Sequence, residues 1–159
     1  MAGNTHILRQ TLRLIPQQPP FRFIDTILHA DEKTIQAEYR FRKDEVFYKG
    51  HFPGNPITPG VILIETMAQT AVVAMGIYQL LNQGVTGTEL QQMITLFAFA
   101  DAVEFNGIVV PGERVKISGG MIYLRRGHLK TKARIQRENG ETVCSGVLTG
   151  TGVQKSKWS

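Results

Sequence analysis

The chain holds a single cysteine, Cys144, and a single tryptophan among its 159 residues. One thiol cannot close an intrachain disulfide, and no Cys/His spacing of metal-site type accompanies it, so neither a disulfide scaffold nor a metal module is expected. That usage fits a reducing compartment and predicts a cytoplasmic location. Acidic residues are also scarce: 13 Asp and Glu against 18 Lys and Arg leave a net charge of +5. Such a balance suits an acidic partner without naming one. Nucleic acid is not indicated, because no recognition-helix, zinc-finger or aromatic-rich RNP pattern occurs. The first eighteen residues, MAGNTHILRQTLRLIPQQ, contain no apolar core of signal-peptide length. Their acid-free, Arg-containing character is faintly like a transit peptide, but a short first helix is the better expectation. There is no internal repeat or low-complexity segment, and 42% of residues are hydrophobic. One domain over residues 1–159 follows, with residues 154–159 expected as a loose tail.

What is present centres on residues 50 to 81, GHFPGNPITPGVILIETMAQTAVVAMGIYQLL. A histidine, His51, sits in a Pro/Gly-rich turn, and a helix follows from Pro59-Gly60. Thr58 is the expected N-cap and Pro59 the first helical residue, where a missing N–H costs nothing. From Val61 to Leu81 the run leaves no polar face, and a helix apolar on every side is buried on every side. It is also long enough to span a bilayer. Glu65, Thr66, Gln69, Thr70 and Gln79 argue against that, so the expectation is a central helix wrapped by sheet with no membrane insertion.

Glu65 is the odd residue in that run. A buried carboxylate pays desolvation unless paired or protonated, and burial moves its pKa toward the range useful for acid–base work. Gln69 lies on the same helical face, four residues on, and is placed to orient it. On the helix alone, a helix-start carboxylate favoured by the macrodipole and wet at its tip is an equal reading. His51, in a constrained loop fourteen residues earlier, favours the acid–base one.

Elsewhere, residues 6 to 15 have apolar residues at helical spacing, and Pro16 ends that helix. Phe21 to Leu28 reads as a strand. Thr34 to Arg42 reads as a second, with Ile35, Ala37, Tyr39 and Phe41 on one face and Gln36, Glu38, Arg40 and Arg42 on the other. Asp31-Glu32-Lys33 makes the pair a hairpin. After a polar connection from Asn82 to Glu89, four strands are expected at about 92 to 105, 113 to 124, 128 to 137 and 141 to 153. The fold class is therefore α+β, an antiparallel sheet curled round one helix. Arg126, His128, Lys130, Lys132 and Arg134 form a basic strip along one strand. A solvated outer face is the simpler reading, and docking of an acidic protein the sharper one.

The spacing His51-Phe52-Pro53-Gly54-x-Pro56-x-x-Pro59-Gly60-Val61 followed by Glu65-x-Met67-Ala68-Gln69 resembles the FabZ-type (3R)-hydroxyacyl-acyl-carrier-protein dehydratases. Ile15-Pro16-x-x-Pro19-Pro20-Phe21, Ile24-Asp25, Phe47-x-x-Gly50 and Val109-Val110-Pro111-Gly112-Glu113 extend the resemblance over nearly the whole chain. It implies a hot-dog fold, and homodimers, often assembled as trimers of dimers, with the active site across the dimer interface. His51 matches the catalytic base and Glu65 the catalytic carboxylate, from opposite subunits. The Gly60 backbone N–H matches the group that polarises the thioester carbonyl, and Gln69 is a supporting candidate. Glutamate rather than aspartate at the acid position implies dehydration without isomerisation. The acyl group would arrive on the phosphopantetheine of an acyl carrier protein, an acidic partner for which Arg126, Lys130, Lys132 and Arg134 are docking candidates. No metal or redox cofactor is implied.

Phe52, Ile57, Ile62, Phe97 and Phe99 are candidates to line an acyl tunnel, and each is equally readable as core. The chain departs from the family pattern at Phe99 and Ala100, where large and small residues are exchanged, and at Glu104, Gly107 and Ile108, where basic residues and a proline are usual. These departures point toward a specialised acyl or polyketide substrate. Two other classes compete: a hot-dog acyl thioesterase, which would release free thiol, and a non-catalytic acyl-binding module, which has no need of His51 and Glu65 together.

Overall fold

The computed structural model describes residues 2–155. Helix α1, Ala2–Leu14, packs its apolar side on the body of the fold and stops before Pro16. The chain then runs without regular structure to a hairpin of β1, Thr26–Ala30, and β2, Thr34–Arg40. Asp31 closes that turn: its carboxylate accepts from the Lys33 and Thr34 backbone N–H groups, each at 2.8 Å. Those donors, the Lys33 N–H foremost and His29 next, hold the Asp31 carboxyl well below the usual range.

Helix α2 runs from Gly60 to Asn82. A short helix, α3, Gly87–Leu90, begins in a capping box formed by Thr86 and Glu89. Four long strands follow: β3, Met93–Phe105; β4, Arg114–Arg125; β5, His128–Arg137; and β6, Thr142–Gln154. The single sheet has the order β1-β2-β4-β5-β6-β3, and every pairing is antiparallel. It curls around α2, most of which is buried inside it. The apolar run long enough to span a membrane is therefore the protein's core helix.

The core falls into two clusters along α2. Around its first turns lie Phe23, Tyr39, Phe41, Leu63, Met67 and Ile135; around its later turns lie Ile15, Ile24, Val73, Met75 and Leu129. The Phe23, Tyr39 and Phe41 rings meet with Phe23–Tyr39 and Tyr39–Phe41 centroids 5.8 and 4.9 Å apart. Helix and sheet pack tightly at Gly119 on β4, where a Cβ would lie 2.7 Å from the Ala71 Cβ. The β2 alternation is as the sequence predicts: Ile35, Ala37, Tyr39 and Phe41 are buried, while Gln36, Arg40 and Arg42 are exposed.

Several local expectations are corrected. Phe21 to Asp25 is not strand, because the Phe21 carbonyl and the Phe23 N–H are bound by the Gln69 side chain instead of a neighbouring strand. Thr58 is not the N-cap of α2; Pro59 holds that position, and the Thr58 hydroxyl bonds the Tyr48 hydroxyl at 2.7 Å. The central helix is not buried all round, since Val61 in its first turn is 71% exposed. It is also not uniformly α, because Gln69–Ala74 winds as a π-helix. At the C-terminal end Gln154 belongs to β6, and Lys155 N–H donates to the Gln92 carbonyl at 2.8 Å; residues 156–159 lie outside the described residues.

Candidate active site

His51 is held by its loop at several points. A one-turn 3₁₀ helix, Val46–Lys49, precedes it, and the His51 N–H donates to the Phe47 carbonyl at 3.0 Å. Its own carbonyl accepts from Ile57 N–H at 2.9 Å, and Thr58 N–H donates to the Val109 carbonyl at 2.9 Å. The ring is stacked on Phe52 with centroids 4.2 Å apart. Nδ1 lies 3.0 Å from the Ile57 carbonyl oxygen. A carbonyl only accepts, so in the neutral ring Nδ1 carries the proton and Nε2 is left with its lone pair as a base.

Glu65 sits in the second turn of α2, partly buried. Burial raises its carboxyl pKa, opposed by the hydrogen bond from Gln69. Gln69 is fully buried; its Nε2 donates to Glu65 Oε1 and to the Phe21 carbonyl, each at 3.0 Å. A cavity of about 170 Å³ opens beside the carboxyl, lined by Gln17, Ala68, Val72, Leu96 and Phe97 among others. His51 is not among its lining residues. This cavity therefore has Glu65, but not His51, in its wall.

Gly60 is the first residue of α2, where the N–H has no intrahelical acceptor and points out of the positive end of the helix. Its Cα faces the Phe105 ring, which a Cβ would meet at 3.0 Å.

The five tunnel candidates are scattered. Phe97 lines the Glu65 cavity, Phe52 stacks on His51, and Ile62 is core at 8% exposure. Ile57 is partly buried in the histidine loop, and Phe99 stands 63% exposed on β3. Leu96, Phe97, Phe99 and Phe105 all lie exposed on this strand, which is the last in the sheet. Of the docking candidates, Lys132 and Arg134 are exposed and Lys130 partly so, on the outer face of β5, with Leu129, Thr131, Ala133 and Ile135 buried between them. Arg126 is in the turn before that strand. At the departures, Ile108 is exposed and its carbonyl accepts from Arg137, while Glu104 pairs with Ser145 on β6. Cys144 is buried, and burial pushes its thiol up to about 11, which leaves it inert.

Gln17 also lines the Glu65 cavity. A glutamine in a Pro-rich connection carries no periodic signal, and only the folded chain brings it to the Glu65 cavity.

A model of the FabA-like domain matches residues 15–146. The 3-hydroxyacyl-acyl-carrier-protein dehydratase FabZ of Caldicellulosiruptor bescii is 36% identical over 138 residues, covering 86% of this chain and 91% of that protein. The enzyme of the same name from Thermus thermophilus is 33% identical over 142 residues, covering 89% and 94%. Among solved structures, the dehydratase heterocomplex ApeI:P from Xenorhabdus doucetiae aligns over 92% of each chain with a TM-score of 0.76 and 14% identity. That likeness bears on fold alone, and the fold is the hot-dog arrangement of a helix wrapped by an antiparallel sheet. By the extent of the domain match and the coverage of these relatives, the chain belongs to the FabA-like family.

Proposed function

We propose that this chain dehydrates (3R)-3-hydroxyacyl thioesters carried on acyl carrier protein to trans-2-enoyl thioesters, in fatty-acid or related acyl or polyketide biosynthesis. The observation that carries this reading is Glu65, a carboxyl whose pKa is raised by burial and which Gln69 holds beside an apolar cavity. A raised pKa favours the protonated carboxyl, the form that a general acid needs.

The elimination follows from these groups. His51 Nε2 takes the proton from Cα, and that C–H pair becomes the new C=C bond. The Cβ–O bond breaks with its pair on oxygen, and the Glu65 proton joins it to leave as water. Negative charge that builds on the thioester oxygen meets the Gly60 N–H at the helix start. A proton and a hydroxyl move with no net electron transfer, so the reaction asks for no redox cofactor, and the acyl group rides on the carrier's phosphopantetheine.

The working unit in this reading is a homodimer with His51 and Glu65 supplied by different subunits. Its support is that His51 does not line the Glu65 cavity and that β3 is a long sheet edge with exposed Leu96, Phe97, Phe99 and Phe105. Three such dimers assembled as a hexamer, and a cytoplasmic setting, accompany the family reading. Lys130, Lys132 and Arg134, with Arg126, offer a basic face to an acidic carrier.

The test is absorbance at the enoyl-thioester band with (3R)-hydroxyacyl-carrier protein of short, medium and long chain. Turnover that disappears in both His51→Ala and Glu65→Gln supports the proposal. Release of free thiol without enoyl product would identify a thioesterase instead.

A further inference from the structure

Gln17 follows the end of α1 and lines the same cavity as Glu65. Its Oε1 is buried, and no described residue gives it a hydrogen bond. A buried acceptor left unpaired costs on the order of 1–3 kcal/mol, and a leucine of similar size would avoid that cost. The rest of the lining is almost wholly apolar: Ala68, Val72, Val73, Leu96 and Phe97, with Thr95 the other polar side chain.

Dehydration releases a water molecule into this cavity, and a water held among apolar side chains needs two or more polar partners. Once Glu65 has given up its proton, its carboxylate accepts from one O–H of that water. The second O–H needs another acceptor. We infer that Gln17 is a catalytic residue whose side-chain oxygen accepts from the leaving hydroxyl, and from the water it becomes, opposite Glu65. This rests on the dehydratase reading and deepens it: the site selects thioesters bearing a β-hydroxyl over saturated ones through two polar contacts rather than one. As the Cβ–O bond breaks, Gln17 exchanges no proton. It holds the oxygen's hydrogen while Glu65 supplies the proton that completes the water.

Gln17→Leu tests this, with Gln17→Met as a second variant of similar length should the first not fold. Both delete an unpaired buried acceptor, so the thermal midpoint should hold or rise. The expected result is a loss of about 10- to 100-fold in kcat/KM for the hydroxyacyl substrate. The inhibition constant of the saturated acyl thioester, which has no hydroxyl to hold, stays unchanged. Parent-like kcat/KM in both variants overturns the inference, as does a loss matched by weaker binding of the saturated thioester. A parent protein that produces no enoyl thioester overturns the dehydratase reading and this role with it. An active parent with unaffected variants overturns the role of Gln17 alone.

Discussion

The Gln69 amide joins the Glu65 carboxyl to the chain entrance: Nε2 lies 3.0 Å from Glu65 Oε1 and 3.0 Å from the Phe21 carbonyl, while Oε1 accepts from Phe23 N–H at 2.7 Å. One buried side chain thus orients the proposed acid and positions the segment that carries Gln17. Replacing it removes support from both.

Gln69→Leu should therefore cost stability and activity together. The Phe23 N–H is left buried without a partner, for a loss of about 1–3 kcal/mol. Urea unfolding checks the first part, and the kcat of the folded fraction checks the second. A variant as stable and as fast as the parent would contradict this account of the residue.

Glu65 makes stability depend on pH in a known direction. Because its folded pKa is raised by burial, the folded state holds a proton at pH values where the unfolded chain has lost it. Its contribution is fully present below the unfolded value and is lost as pH rises through the folded one. Glu65→Gln should then be more stable than the parent at neutral pH, with the difference shrinking as pH falls toward the ordinary carboxyl range. Thermal midpoints across that span provide the measurement, and a difference that grows toward acid would contradict the sign.

Much of this arrangement is legible in the sequence because it is local. The alternation of Ile35, Ala37 and Tyr39 and the apolar run after Pro59 each declare an element within a few residues, and β2 and α2 appear where those patterns place them. His51 and Glu65 stand out through motif spacing. What escapes is whatever depends on distant partners. Phe21 and Phe23 look like strand, yet their backbone groups are satisfied by a side chain 46 to 48 residues away. Thr58 has the right chemistry for a cap, but its hydroxyl is taken by Tyr48. The π-helical stretch from Gln69 to Ala74 has no composition signal either, since π-turns arise inside otherwise ordinary helical sequence.

Gly119→Ala tests the fit of helix against sheet. The new methyl would stand 2.7 Å from the Ala71 Cβ and 3.0 Å from the Ala71 Cα, which is backbone and cannot turn aside. Overpacking of this kind costs about 1–3 kcal/mol. Urea titration should show a lower midpoint at unchanged slope; an unchanged midpoint would mean that the helix shifts freely.

Phe99→Lys probes the exposed edge. Phe99 is 63% exposed on β3 in the single chain, so the substitution leaves the monomer's core untouched. A lysine in a strand-to-strand interface opposes pairing. Sedimentation should show dissociation to a folded monomer, and dehydration should vanish with it. A dimer that persists would place the interface elsewhere, and a fully active monomer would show that one chain suffices.

The most direct test of a site shared between subunits mixes two inactive proteins. His51→Ala and Glu65→Gln subunits, unfolded together and refolded at equal ratio, form heterodimers in which one of the two symmetric sites regains both wild-type residues. The account predicts recovery of about a quarter of the parent's dehydratase activity, since random pairing makes half of the dimers mixed and each mixed dimer carries one intact site. Mixed dimers that form yet remain inactive would contradict it.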